Sequence, residues 1–99
     1  MGGTCFVTPP ILPHGLNGII INDKAIIGRN CTIFQQVTIG EWNNVAPIIG
    51  DNCLIGAGAK LLGGIKVGKN VKIGANCIVV TDIPDNAMVV MEKPRIIFK

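Results

Sequence analysis

Ninety-nine residues with a formal net charge of +3, 15% charged side chains and no basic run describe one small domain and argue against a nucleic-acid partner. No apolar stretch approaches membrane-spanning length and no charged-then-apolar leader opens the chain, so the expectation is a cytoplasmic protein without a membrane partner. One histidine, and four cysteines with no Cys-x-x-Cys pair, point to no metal centre.

Met1 to Pro13 is rich in Gly and Pro, and Pro9, Pro10 and Pro13 exclude a helix, so residues 1–13 read as an extended lead-in. Pro13-His14-Gly15-Leu16-Asn17-Gly18 follows and holds the only histidine. Beside a glycine, that histidine is open to two readings, a turn residue or a catalytic base.

From Ile21 an apolar residue returns every sixth position: Ile21, Ile27, Ile33 and Ile39, then Ile49, Ile55, Leu61, Val67, Ile73 and Val79. Four residues after these come small or apolar side chains at Ala25, Cys31, Val37, Cys53, Ala59, Ile65, Val71, Cys77 and Ile83. Gly directly follows the leading residue at Gly28, Gly40, Gly50, Gly56, Gly68 and Gly74, and Asn takes the fourth place at Asn30, Asn52, Asn70 and Asn76. A period of six cannot be a helix face, because six steps of about 100° do not return to one side. It suits a short extended segment followed by a corner, where Gly and Asn tolerate left-handed backbone angles. Three hexads make one triangular coil, and coils stack at the strand spacing of about 4.8 Å. The inward ladders are then Ile21–Ile39–Leu61–Val79, Ile27–Ile49–Val67 and Ile33–Ile55–Ile73. The fold class is all-β, a parallel β-helix of about four coils over residues 14–91.

Ile39 to Ile49 spans ten residues instead of six, so Glu41 to Pro47 contains a four-residue excursion at a corner. It carries the only Trp, at Trp42, either rimming a binding site or packed on a prism. Ile55 is followed by Gly56-Ala57-Gly58-Ala59, a bare stretch that another backbone or a flat ligand can approach, and Gly74-Ala75 repeats it more weakly. Cys31, Cys53 and Cys77 fall in the second inward position, where a small thiol fills volume. Lys60, Lys66 and Lys72 share one hexad place and so face three different ways. Thr81 to Asn86 breaks the repeat, 87–91 reads as one last strand, and residues 92–99 form a C-terminal tail containing Lys93 and Arg95.

Beyond the bare hexad, more specific runs are His14-Gly15-Leu16-Asn17-Gly18-Ile19-Ile20-Ile21 and Cys31-Thr32-Ile33-Phe34-Gln35-Gln36-Val37-Thr38-Ile39-Gly40. With Ile55-Gly56-Ala57-Gly58-Ala59-Lys60 and Asp82-Ile83-Pro84-Asp85-Asn86-Ala87, the chain resembles the hexapeptide-repeat acyltransferases, most closely serine acetyltransferases and sugar O-acetyltransferases. The resemblance implies a left-handed coil, against the usual crossover hand. It also implies a homotrimer that binds acetyl-CoA between neighbouring prisms and transfers acetyl to a hydroxyl of serine or a sugar. His14 matches the catalytic histidine, a general base on that hydroxyl. Gly56, Ala57, Gly58 and Ala75 match small residues of the cofactor groove, and Arg95 matches a basic residue near the family's C-terminus that meets cofactor phosphate, with Lys93 placed to join it.

The chain departs from that pattern in three places. No Asp or Glu precedes Asp23 to partner the histidine, the His-to-Gly spacing is one residue longer, and the 41–47 loop lacks a second histidine. An inactive short form serving as a trimeric structural or interaction module is therefore the alternative. A metal-dependent carbonic anhydrase on the same scaffold needs three histidine ligands per site, more than one histidine per chain supplies.

Overall fold

The computed structural model describes residues 5–13, 15, 18–91 and 96–97. Its strands are two or three residues long, as a hexad allows, and every strand pairing is parallel. The first face of the prism is built from β1 (Cys5–Phe6), β3 (Ile26–Ile27), β6 (Ile48–Ile49) and β9 (Lys66–Val67). The second holds β4 (Thr32–Ile33), β7 (Leu54–Ile55), β10 (Lys72–Ile73) and β12 (Met88–Val89). The third holds β2 (Ile20–Ile21), β5 (Thr38–Gly40), β8 (Lys60–Leu62) and β11 (Ile78–Val79). Successive strands visit the three faces in turn, giving a solenoid of about four turns.

The register is the one the repeat dictates. Ile21 pairs with Ile39, Ile39 with Leu61 and Leu61 with Val79, while Ile27–Ile49–Val67 and Ile33–Ile55–Ile73 form the other two columns. Every one of these side chains is buried, and so are Ala25, Cys31, Val37, Cys53, Ala59, Ile65, Val71 and Cys77 at the second inward place. Each buried Ile, Leu or Val contributes about 1.5–3 kcal/mol, so the ladders supply most of the stabilisation. No charged or polar residue lies in that interior among the described residues.

The described segments flanking the regular hexads continue the solenoid. β1 pairs with β3, and Ile11 bridges to Thr32, so the Pro-rich segment expected as a lead-in lies along the first and second faces. After β11 the chain bridges Ile83 to Val67 and places β12 beside β10, the last strand expected within 87–91. Lys60, Lys66 and Lys72 point outward from three different faces of one turn, as their spacing requires.

Asn and Gly divide the corner work differently from the expectation. Asn30, Asn52, Asn70 and Asn76 have φ of 55–61°, the left-handed region, and Gln36 and Asn86 join them. None of the six glycines that follow a leading residue has positive φ. Their reason is close approach instead. A Cβ on Gly50 would meet the carbonyl oxygen of Gly68 at 2.6 Å, and one on Gly28 would meet the Gly50 carbonyl carbon at 2.7 Å. The backbone of one turn lies against the backbone of the next, and only hydrogen fits between.

Cys31 and Cys53 stack in adjacent turns as free thiols, with Sγ 3.2 Å from the Gly50 oxygen and 3.1 Å from the Gly68 oxygen respectively. The hydrogen bond shared with Cys31 pushes the Cys53 thiol up, and burial adds to it.

Candidate functional site

Three edges separate the three faces, and they differ in chemistry. Along the edge between the first and second faces run Arg29, Asp51, Lys69 and Asp85, one per turn. Asp51 Oδ1 accepts the Arg29 backbone N–H at 2.7 Å, and Asp85 Oδ1 accepts that of Lys69 at 2.8 Å. Beside them, the N–H groups of Asn52, Asn70 and Asn86 donate to the carbonyls of Arg29, Asp51 and Lys69 at 2.7–2.9 Å. This edge satisfies its own polar groups and presents alternating charge.

The edge between the third and first faces carries the excursion. Trp42 and Val45 form an antiparallel bridge, and Asn43 and Asn44, with φ of 52° and 64°, make the tight turn between them. Two consecutive left-handed residues are the requirement of a type I′ hairpin, which is what the Asn-Asn pair supplies. Gly63 and Gly64 lie beneath, where added Cβ atoms would come within 3.4 Å of Trp42 Cβ and 3.0 Å of Val45 Cβ. Lys24 Nζ reaches Glu41 Oε2 at 3.2 Å at the hairpin base, an exposed pair of little energetic weight. Trp42 is 68% exposed and walls a cavity of about 490 Å³ together with Leu62, Gly64, Val80 and Asp82. The indole therefore stands at the rim of a cavity and is not packed on its own prism.

The third edge, between the second and third faces, brings together Gly56, Ala57, Gly58 and Ala75, the small residues singled out from sequence. Gly58 N–H donates to the Gln35 carbonyl at 3.0 Å, and Asn76 N–H donates to the Ala57 carbonyl at 2.8 Å, so these residues stack on consecutive turns. Gly56 is buried, with Ala75 N only 2.7 Å from where its Cβ would sit, while Ala75 itself is exposed. Gly58 has φ of +71°. The result is a strip of main chain almost bare of side chains.

Gly18 lies at the same edge. Gly15 N–H donates to the Leu12 carbonyl at 3.0 Å in a turn, and a Cβ on Gly18 would lie 2.9 Å from Gln36 Cγ. His14 itself, and Lys93 and Arg95 of the tail, lie outside the described residues. Gln35 was not singled out from the sequence. Its Oε1 is fully enclosed and accepts no hydrogen bond from any described residue. Such an atom costs stability unless something supplies a donor, and only three-dimensional placement reveals it.

No group of three or more His, Cys, Asp or Glu side chains that could hold a metal is formed among the described residues. What the bare edge offers is main chain, small side chains and one unpaired amide. These suit an extended neutral ligand better than an ion.

Comparison with known proteins places the fold in a lineage. Residues 46–81 match the bacterial transferase hexapeptide family (six repeats). A serine acetyltransferase of Synechococcus elongatus is 39% identical over 92 residues, covering 89% of this chain and 37% of that protein. One of Staphylococcus aureus is 47% identical over 83 residues, covering 80% of this chain and 38% of that protein. The chain carries the hexapeptide repeat of that family and is similar in sequence to serine acetyltransferases. Among solved structures, serine acetyltransferase isoform 3 of Entamoeba histolytica in complex with cysteine superposes with a TM-score of 0.86 at 43% identity, covering 98% of this chain and 36% of that one. A serine acetyltransferase in complex with CoA gives 0.81 at 35% identity, covering 87% and 36%. This hexapeptide-repeat chain thus spans well under half the length of the relatives it matches.

Proposed function

We propose that this chain is the acyl-transfer core of an acetyl-CoA-dependent O-acetyltransferase whose acceptor is the hydroxyl of serine. The observation that carries the proposal is the bare second–third edge, a strip where an extended thioester arm can lie against main chain, with Gly18 packed beside it. The likeness to serine acetyltransferases, one of them a CoA complex, supports the choice of co-substrate and acceptor. It also supports the left hand of the coil. A sugar acceptor has no comparable support.

The residues present fit such a ligand. Gly56 and Gly58 stack closely on the next turn and, with Ala57 and Ala75, leave few side chains along the strip, and an enclosed amide oxygen nearby lacks a donor. Bound there, acetyl-CoA supplies the activated acetyl group. His14 takes the proton of the acceptor hydroxyl as that oxygen attacks the thioester carbonyl. The C–S bond then breaks and the proton passes to the departing sulfur. Imidazole suits both transfers because its ordinary pKa lies near neutral. Lys93 and Arg95 meet the cofactor phosphates.

A homotrimer is part of the proposal. Ile20, Ile78 and Val80 are exposed on or beside the third face, and Leu54, Met88 and Val90 on or beside the second. Apolar faces of this kind call for other chains to cover them.

The test is release of free thiol from acetyl-CoA with serine as acceptor, for the wild type and His14→Ala. The substitution should lower turnover by about 10²–10⁴-fold, the usual worth of a general base. CoA affinity, measured separately, should hold. Unchanged turnover in the His14→Ala protein would remove the base assignment. Absence of thiol release from the wild type with serine or sugar acceptors would favour the structural module.

A further inference from the structure

The small residues explain why the second–third edge is open, but not what fixes a ligand along it. One atom there is out of balance. Gln35 Oε1 is fully enclosed without a hydrogen-bond partner, although Gln35 as a residue is only half-buried. Its main-chain carbonyl is committed to Gly58 N–H at 3.0 Å, which pins the residue at the head of the bare strip. Its neighbour Gln36 lies against Gly18, where the loop carrying His14 returns to the solenoid. Gln35 thus stands next to the contact with Gly18 and at the head of the proposed cofactor strip.

An unpaired amide oxygen is an acceptor waiting for a donor, and retaining it in the empty protein costs stability. The chemistry of the place narrows what the donor is. An ammonium group brought beside an enclosed neutral amide, with no carboxylate to match it, loses its hydration for little return. The acceptor hydroxyl gives its only proton to the base. A secondary amide N–H loses little on leaving water and makes a bond of ordinary strength to another amide.

We propose that Gln35 is a cofactor-binding residue whose Oε1 accepts a hydrogen bond from the pantetheine arm, at the amide N–H nearer the thiol. A rotation of the half-exposed side chain carries the oxygen to that N–H while the backbone stays fixed by Gly58. The inference rests on the acetyl-CoA reading, and it assigns the end of the arm nearest the reaction to the turn nearest the His14 loop.

Calorimetric titration of the full chain with CoA, which is bound but not turned over, tests it. Gln35→Met keeps the length of the side chain and removes the acceptor. It should weaken CoA about tenfold, the worth of one such hydrogen bond. Adenosine 3′,5′-bisphosphate, the nucleotide half without the amide arm, should bind both proteins alike. The ligand-free variant should also melt at a higher temperature than the wild type, because the orphaned oxygen is gone. A residue serving structure alone would move that temperature the other way.

A ligand-side change keeps the test independent of the variant's folding. A CoA analogue with an ester in place of the amide nearer the thiol should bind the wild type about tenfold more weakly than CoA, and Gln35→Met no more weakly than CoA itself. Equal binding of CoA by wild type and variant, or of the amide and ester ligands by wild type, overturns the proposal and leaves the acetyl-CoA reading standing. So does a raised KM for serine with CoA binding unchanged. Failure of the wild type to bind CoA at all defeats the parent reading and this one with it.

Discussion

Two edges of the same prism are built from the same hexads and solve opposite problems. On the first–second edge each corner residue is spoken for: Asp51 and Asp85 cap the N–H groups of Arg29 and Lys69, and the Asn column hands its N–H groups to the turn before. On the second–third edge the matching places hold Gly56, Ala57, Gly58 and Ala75, and one amide oxygen has nothing to bond. Main-chain bonds tie successive turns together on both edges, and the first adds side-chain caps of its own. The second leaves room and an unmet bond, an arrangement that costs folding stability and makes sense only if something else completes it.

Filling each edge with bulk breaks the comparison most sharply. Ala75→Trp, on the exposed part of the bare strip, should weaken CoA by roughly 10²-fold while leaving the melting temperature unchanged, because the indole takes the place where the arm would lie. Lys69→Trp puts the same indole on the first–second edge and should leave CoA binding untouched. Calorimetry on the pair decides whether only one edge is a binding surface.

Glycine substitutions come next. Gly50→Ala forces a methyl into the Gly68 carbonyl on the first–second edge, and should cost about 1–3 kcal/mol by denaturant titration with ligand affinity unaltered. Gly56→Ala meets Ala75 N in the same way and should cost as much, but here CoA affinity should fall too. If both variants lose affinity equally, the separation of a structural edge from a binding edge is wrong.

Much of this could be read from the chain because the period of six is itself the geometry. Once Ile21, Ile39, Leu61 and Val79 are known to recur, their stacking follows, and so does the burial of Cys31, Cys53 and Cys77. The left-handed corners at Asn30, Asn52, Asn70 and Asn76 were likewise legible, since Asn tolerates that region. The Asn43-Asn44 pair carried a hairpin signal that the length of the excursion obscured. The role of the repeat glycines was not legible: a residue type is compatible with positive φ and with close approach alike, and only the distance from one turn to the next decides. Nor was the alternating column of Arg29, Asp51, Lys69 and Asp85, because the four-residue excursion puts the first two out of step in sequence while leaving them stacked in space. Gln35 is the limiting case. An unsatisfied atom is defined by what does not surround it, and no local pattern encodes that.

A smaller effect probes the caps of the first–second edge. Asp51→Ala removes the acceptor of the Arg29 N–H and should cost about 1 kcal/mol, whereas Asp51→Asn keeps an oxygen in place and should recover most of it. Loss of the same size in both variants would show that charge, not the cap, is what the column supplies.

The smallest expected effect lies inside that edge, where Cys53 is 1% exposed beneath Asp51. Its thiol is held above the ordinary value of 9.0 by the hydrogen bond with Cys31 and then by burial. The sign follows from which state keeps the proton. Below pH 9 the Cys53 thiol is neutral in the folded and the unfolded chain, and the group adds no pH dependence. Above pH 9 the unfolded chain releases the proton while the folded chain retains it, so unfolding gains and stability falls as pH rises. Cys31, whose thiol the same pairing lowers to about 7, acts the other way between pH 7 and 9. The folded chain releases that proton before the unfolded chain does, so stability rises there before Cys53 turns it down. Cys53→Ala should start about 1 kcal/mol less stable at neutral pH, for the lost sulfur, and show a correspondingly shallower fall above pH 9. Denaturant midpoints measured from pH 7 to 10 provide the comparison. An equally steep alkaline fall in Cys53→Ala would mean that the thiol is not kept protonated by its neighbour, and that the stacked pair is packing alone.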